Sequence, residues 1–113
     1  MKVFEYSDYI CKLGENKYEN WDLLENSKIN DYFFHLESFS SGYVILISKN
    51  NLNEFIPTTE MIFNSSLICK NGTKYKNYTN LKINYCKCYN VVKGNNVGEA
   101  IFKSNRKVKN IKI

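Results

Sequence analysis

A chain of 113 residues, 43% hydrophobic and 15% aromatic, is long enough to bury one core and too short for two, and its apolar content excludes a disordered polymer. No run of about 18 apolar residues occurs, which excludes a membrane-spanning helix. The net charge of +5 is divided unevenly: residues 1–66 carry five Lys against ten Asp or Glu, whereas residues 67–113 carry eleven Lys or Arg against Glu99 alone, so the C-terminal half either faces a polyanion or is a solvated basic surface.

In chain order, Lys2 to Tyr6 and Tyr9 to Leu13 read as two short strands around a Ser7-Asp8 turn, being rich in β-formers. Gly14 then permits a backbone conformation closed to other residues. Asn16 and Glu19 form a capping box, which starts a helix over 17–26 whose Tyr18, Trp21 and Leu24 share an apolar face. Asp31 to Leu36 is a strand with Tyr32, Phe34 and Leu36 on one face and Asp31, Phe33 and His35 on the other. Ser38 to Gly42 turns into Tyr43 to Ile47, an apolar run suited to a central strand covered on both faces. Lys49 to Glu54 is loop. Pro57 fits the first turn of a second helix, with Met61, Ile62, Leu67 and Ile68 as its contacts and Gly72 as its stop. Thr79 to Tyr89 alternates, with Leu81, Ile83, Tyr85 and Tyr89 opposite Lys82, Asn84, Cys86 and Cys88. Val97 to Lys103 and Val108 to Ile113 are the last strands, separated by a basic turn at Asn105 to Lys107. The whole reads as an α+β fold, a single compact domain spanning residues 1–113 with an antiparallel-rich β-sheet and two helices.

Polar residues follow Met1 and Lys2 within a few positions, so the apolar stretch of a secretory signal is lacking. A cytoplasmic protein is expected, in which Cys11, Cys69, Cys86 and Cys88 are free thiols. Asn makes up seventeen of the residues and Arg106 is the sole arginine, a bias of AT-rich coding that tempers any argument from lysine count alone.

Four places offer chemistry. Gly14-Glu15-Asn16 at a helix start is an anion site or a plain turn, with Glu15 opposing the anion. His35 is the sole histidine, yet four extended residues set it roughly 13 Å from Asp31, too far for a hydrogen-bonded dyad. Cys86-Lys87-Cys88 lacks the paired C-x₂₋₄-C spacing of structural zinc, so neither metal nor other cofactor is expected. Lys74-Tyr75-Lys76-Asn77-Tyr78 interleaves cations with aromatics, a mixture that holds phosphates and stacks on bases. With Lys70, Lys93, Arg106 and Lys107 it is expected to form one basic surface.

The order of three segments carries more than any one of them. Gly14-Glu15-Asn16-Lys17-Tyr18-Glu19-Asn20-Trp21-Asp22-Leu23, Asp31-Tyr32-Phe33-Phe34-His35 and Ser40-Ser41-Gly42-Tyr43-Val44 together resemble the NFACT-R family of RNA-binding domains, in particular its short stand-alone members of the coiled-coil domain-containing protein 25 type. The likeness continues through Ile56-Pro57, Leu67 to Asn71, Asn80 to Tyr85 and Val97-Gly98 to Phe102. It implies a protein of translation or ribosome quality control that binds tRNA or ribosomal RNA, in contact with the large ribosomal subunit. Gly14, Asn16, Asn20, Asp31, His35, Ser41 and Gly42 match the family pattern and carry over as RNA-contacting positions. Glu15 departs from the usual cation, Trp21 from a usually acidic residue, and Tyr43 from a second histidine; the helical tail of the short members is missing after the last strand.

The function expected is therefore RNA recognition through a polar pocket and a basic surface. An enzymatic alternative, release of stalled peptides from peptidyl-tRNA near its CCA end, would use His35 as general acid or base with Asp31 or Asp22 as an orienting or metal-binding carboxylate. A protein-interaction module without RNA affinity is the third reading.

Overall fold

Two helices and eight strands make up the described part of the chain, residues 1–50 and 54–113 of a computed structural model. Strands β1 (Lys2–Glu5), β2 (Tyr9–Leu13), β3 (Tyr32–Leu36), β4 (Val44–Ser48), β5 (Lys82–Lys87) and β8 (Lys109–Lys112) form one sheet in the order β1-β2-β4-β3-β5-β8. Every pairing within it is antiparallel. A small second sheet pairs β6 (Val91–Lys93) with β7 (Ala100–Phe102).

The apolar run 43–47 explains the layering. Strand β4 lies between β2 and β3, and its alternate side chains enter two core clusters, one on each face of the sheet, where the chain length suggested a single core, because the central sheet is covered on both sides. Val44 and Leu46 join Cys11, Phe34, Ile68, Cys69 and Ile83 on the face covered by α2 (Thr59–Asn71). Tyr43 and Ile45 join Phe33, Leu23, Leu24 and Val91 on the face covered by α1 (Lys17–Glu25) and the β6–β7 ribbon. The assignment of Tyr32, Phe34 and Leu36 to one face of β3 and Phe33 to the other holds. The fold is α+β, an antiparallel six-stranded sheet with two helices. Among the described residues no helix is long and apolar enough to cross a membrane.

Local corrections have physical reasons. The buried side of α1 is Asn20, Leu23 and Leu24, while Tyr18 is 63% exposed, because the helix turns a polar amide inward to serve the backbone of residue 43. Pro57 lies just before α2, whose N-cap is Thr58 accepting from the Met61 N–H. Strand β5 stops at Lys87, where the chain enters a 3₁₀ turn at Cys88–Asn90. That turn anchors the Cys88 N–H on the Asp31 carbonyl at 2.8 Å and sends Tyr89 out to solvent. The expected strand 97–103 contracts to β7 because Gly98 takes a left-handed φ of +89°, and its partner β6 has no counterpart in the sequence reading. Positions 51–53 of the expected 49–54 loop lie outside the described residues.

Candidate functional site

The site begins where β2 ends. Asn16 caps α1 as expected, its Oδ1 accepting from the Tyr18 N–H at 3.0 Å and the Glu19 N–H at 2.9 Å. Glu19 closes the box one residue early, accepting from the Glu15 N–H at 3.0 Å. These bonds occupy the N–H groups that an anion would need. The carboxylates of Glu15 and Glu19 also meet the Met1 ammonium, each at 2.7 Å. The helix start is a satisfied turn.

One turn further, the buried Asn20 side chain accepts from the Tyr43 N–H at 3.0 Å, and the Gly14 N–H reaches the Tyr43 carbonyl at 3.0 Å. Gly14 is required for space and not, as its place after a strand suggested, for an unusual backbone: a Cβ there would stand 2.0 Å from Asn20 Oδ1. Gly42 is constrained likewise, its Cβ position lying 2.0 Å from the Gly14 carbonyl oxygen. The two glycines let the β2–α1 and β3–β4 connections touch.

Above this contact opens a cleft of about 960 Å³. Its walls are the start of α1, the 37–43 turn, the Gly72–Tyr75 segment after α2 and the Val97–Glu99 segment before β7. Ser41 shapes the turn, its Oγ accepting from the Leu36 N–H and donating to the Gly42 carbonyl, both at 3.1 Å, with Cys69 Sγ at 3.7 Å. The 94–99 segment is tied down by Trp21 Nε1 donating to the Glu99 carbonyl at 2.9 Å and by the Tyr43 hydroxyl donating to the Gly98 carbonyl. Phe39 stacks against Tyr75 at 4.3 Å between ring centres, with Tyr78 edge-on to both, and Lys74 Nζ lies 5.4 Å from the Tyr75 ring.

His35 faces this cleft beside Phe33 and edge-on to Tyr43. Burial lowers its pKa, against the opposing effect of backbone hydrogen bonding at Leu36 and Ser41. Burial, with Glu99 adding to it, pushes the Tyr43 phenol up to about 12. Both groups are neutral at pH 7, so the depth of the cleft offers neutral donors and acceptors, and its ionic groups are Lys17, Lys74, Glu15, Glu37 and Glu99.

Among the residues singled out in the sequence, Asn16, Asn20, His35, Ser41, Gly42, Lys74 and Tyr75 line the cleft, and Gly14 lies against its floor. Asp31 does not: its carboxylate accepts from the Lys28 N–H at 2.9 Å and is desolvated enough to raise its pKa. Asp22 is exposed on α1 and also outside the lining. Asp31 and Asp22 thus stand outside the cleft that His35 lines. Of the basic residues singled out in the sequence, Lys74 lines the cleft and the others have different surroundings. Lys93 lies 5.1 Å from the Trp21 ring centre and 3.0 Å from Glu25, Lys107 bonds the Tyr89 hydroxyl, and Arg106 shares the exposed Asn105–Lys107 turn. Lys70 and Lys76 flank the end of α2 without lining the cleft. The four cysteines are free and buried, and among the described residues no cluster of three His, Cys, Asp or Glu is arranged to hold a metal.

The wall that sequence reasoning missed is Val97-Gly98-Glu99, read there as strand. Its signal was the Gly98 between two polar neighbours' reach, Asn96 and Glu99, which marks a turn ahead of β7.

The chain is 28% identical over 108 residues to a coiled-coil domain-containing protein 25 homolog of Dictyostelium discoideum, covering 93% of this chain and 52% of that protein. It is 29% identical over 106 residues to coiled-coil domain-containing protein 25 of Mus musculus and of Bos taurus, covering 91% of this chain and 51% of each. It thus spans about half the length of these curated relatives. No protein-family model matches. The C-terminal part of the fibronectin/fibrinogen-binding protein from Streptococcus suis has a similar fold, with a TM-score of 0.78 at 15% identity, covering 93% of this chain and 40% of that one.

Proposed function

We propose that this chain is an RNA-binding module of translation or ribosome quality control, recognising tRNA or ribosomal RNA in the cytoplasm in contact with the large ribosomal subunit. The observation that carries the reading is convergence: Asn16, Asn20, His35, Ser41 and Gly42, drawn from three separated segments that resemble NFACT-R, meet in one cleft with Lys74 and Tyr75 on its wall. Neutral groups in its depth suit base and ribose contacts, and lysines at its margin suit phosphates. The likeness to coiled-coil domain-containing protein 25 over more than nine-tenths of the chain supports treating these segments as one unit. Asp22 and Asp31 lie away from His35, which supports binding over peptide release from peptidyl-tRNA.

The test is a mobility-shift titration with tRNA across salt. Three or more phosphate contacts weaken binding by more than about tenfold from 50 to 200 mM salt. Affinity that does not change over that range, or absence of any RNA complex at low salt, overturns the reading.

A further inference from the structure

A second groove, of about 370 Å³, lies on the other face of the sheet from His35. Cross-strand register builds it. Lys87 on β5 stands opposite Tyr32 on β3, and Lys109 on β8 stands opposite Tyr85 on β5. Paired residues of antiparallel strands share a face, with their Cβ atoms about 5 Å apart, so two Lys–Tyr pairs lie side by side. Ile56, Pro57 and Ile62, at and before the start of α2, close one side. Tyr89 and Lys107 close the other, where the Lys103 ammonium lies 5.6 Å from the Tyr89 ring centre and the Lys107 ammonium donates to the Tyr89 hydroxyl.

The composition of this groove differs from that of the cleft. Three tyrosines and three lysines line it and no carboxylate does, whereas three glutamates line the cleft. Glu54 acts on the Tyr32 hydroxyl from outside the lining. The hydrogen bond from Lys107 lowers the pKa of the exposed Tyr89 phenol, with the charges of Lys107, Lys87 and Lys103 adding to it. Tyr85 is already stacked on Phe34 at 5.3 Å and 12°, which holds its ring flat for a further layer. An apolar wall, the exposed Tyr89 ring beside the half-buried rings of Tyr32 and Tyr85, and cations with no carboxylate in the lining together select a planar apolar group attached to an anion.

We propose that this groove seats an unpaired nucleotide of single-stranded RNA, its base against the tyrosines and its phosphates on Lys87, Lys107 and Lys109. The assignment rests on the RNA-binding reading and deepens it: the cleft recognises, and the anionic backbone is held on the opposite face. A base paired within a duplex cannot present its ring to Tyr89, so the groove takes unpaired RNA only.

The experiment is fluorescence anisotropy of the full chain with short labelled oligoadenylate and oligouridylate, alongside tRNA and a blunt duplex of matching length. Lys107→Glu with Lys109→Glu weakens single-strand binding more than tenfold, whereas Lys70→Glu with Lys76→Glu, the same change in net charge, weakens it less than threefold. Tyr89→Leu weakens it about tenfold and Tyr89→Phe retains it. All these side chains except Lys70 are exposed, and melting curves verify that each variant folds. If tRNA binds while the Lys107 and Lys109 reversals leave single-strand affinity intact, the groove assignment fails and the RNA reading stands. Equal binding of the duplex, or competition by polyglutamate as strong as by oligonucleotide, also overturns the groove, as a charge sink. If no RNA of any kind binds, both readings fall together.

Discussion

The Tyr43 hydroxyl donates a hydrogen bond to the carbonyl oxygen of Gly98, fifty-five positions further along the chain. Tyr43 is 1% exposed, and its backbone is at the same time held by Gly14 and Asn20. One residue therefore joins the floor of the cleft to the wall that sequence reading missed.

Tyr43→Phe keeps the ring in its core and removes that bond. A buried hydrogen bond contributes about 1 kcal/mol, and the Gly98 carbonyl loses a partner as well. Urea unfolding is expected to show a loss of about 1–2 kcal/mol, and hydrogen exchange at residues 95–99 to accelerate more than at β4. Uniform acceleration would show that the wall is held by other means, the Trp21 bond to Glu99 foremost.

The Gly14–Asn20 contact is a packing constraint with a measurable coupling. Gly14→Ala forces a Cβ to within 2.0 Å of Asn20 Oδ1, and overpacking of this kind costs about 1–3 kcal/mol. Asn20→Ala leaves the Tyr43 N–H without its acceptor, at a similar cost. The double variant removes the clash along with the acceptor, so its loss is smaller than the sum of the two by about 1 kcal/mol or more. Additive losses in chemical denaturation would sink this account of why position 14 is glycine.

These two cases show where sequence reading reached and where it stopped. Period-two and apolar-run signals placed β2, β3, β4 and β5, the last with an overrun at both ends, because such patterns record which face is buried. Asn16 and Glu19 marked the helix start because capping is local in sequence. The inward turn of Asn20 is not local: a polar side chain is buried there for a partner twenty-three residues away, and a helix-face pattern assigns such a residue to solvent. Tyr89 failed for the reverse reason, since alternation alone does not reveal that Cys88 breaks the strand to bond Asp31. The Lys–Tyr groove depends on the register of β3, β5 and β8, which no single stretch encodes. The cleft residues from three segments were legible only because their order resembled a family pattern.

The thiols are expected to be inert in the folded protein. Burial pushes Cys69 and Cys86 up to about 11 and raises Cys11 and Cys88 as well, so little thiolate exists at pH 8 and little of it is accessible. Ellman's reagent is expected to detect almost no thiol in native buffer and all four in strong denaturant. Fast reaction of one thiol in native buffer would locate a local opening at that cysteine.

His35 gives the pH prediction, and as the sole histidine it can be followed without ambiguity. Its folded pKa lies below the ordinary value of 6.5 because burial disfavours the imidazolium, with hydrogen bonding at Leu36 and Ser41 only partly offsetting this. The unfolded chain then binds more protons than the folded one between the two pKa values, so this residue makes stability rise with pH across that window. Its contribution is fully present above about 6.5 and is lost as pH falls toward the folded pKa. Protonation also places a cation beside Phe33 and Tyr43, at the depth of the cleft. Urea midpoints of the wild-type chain, measured from pH 7.5 to 5, are expected to fall relative to those of His35→Gln, which removes the titrating group and leaves the carboxylate contributions common to both. The imidazole proton resonances should titrate with a midpoint below 6.5. Parallel pH curves for the two proteins, or a midpoint above 6.5, would place His35 in an environment that favours its charged form and would remove the neutral ring from the proposed recognition surface.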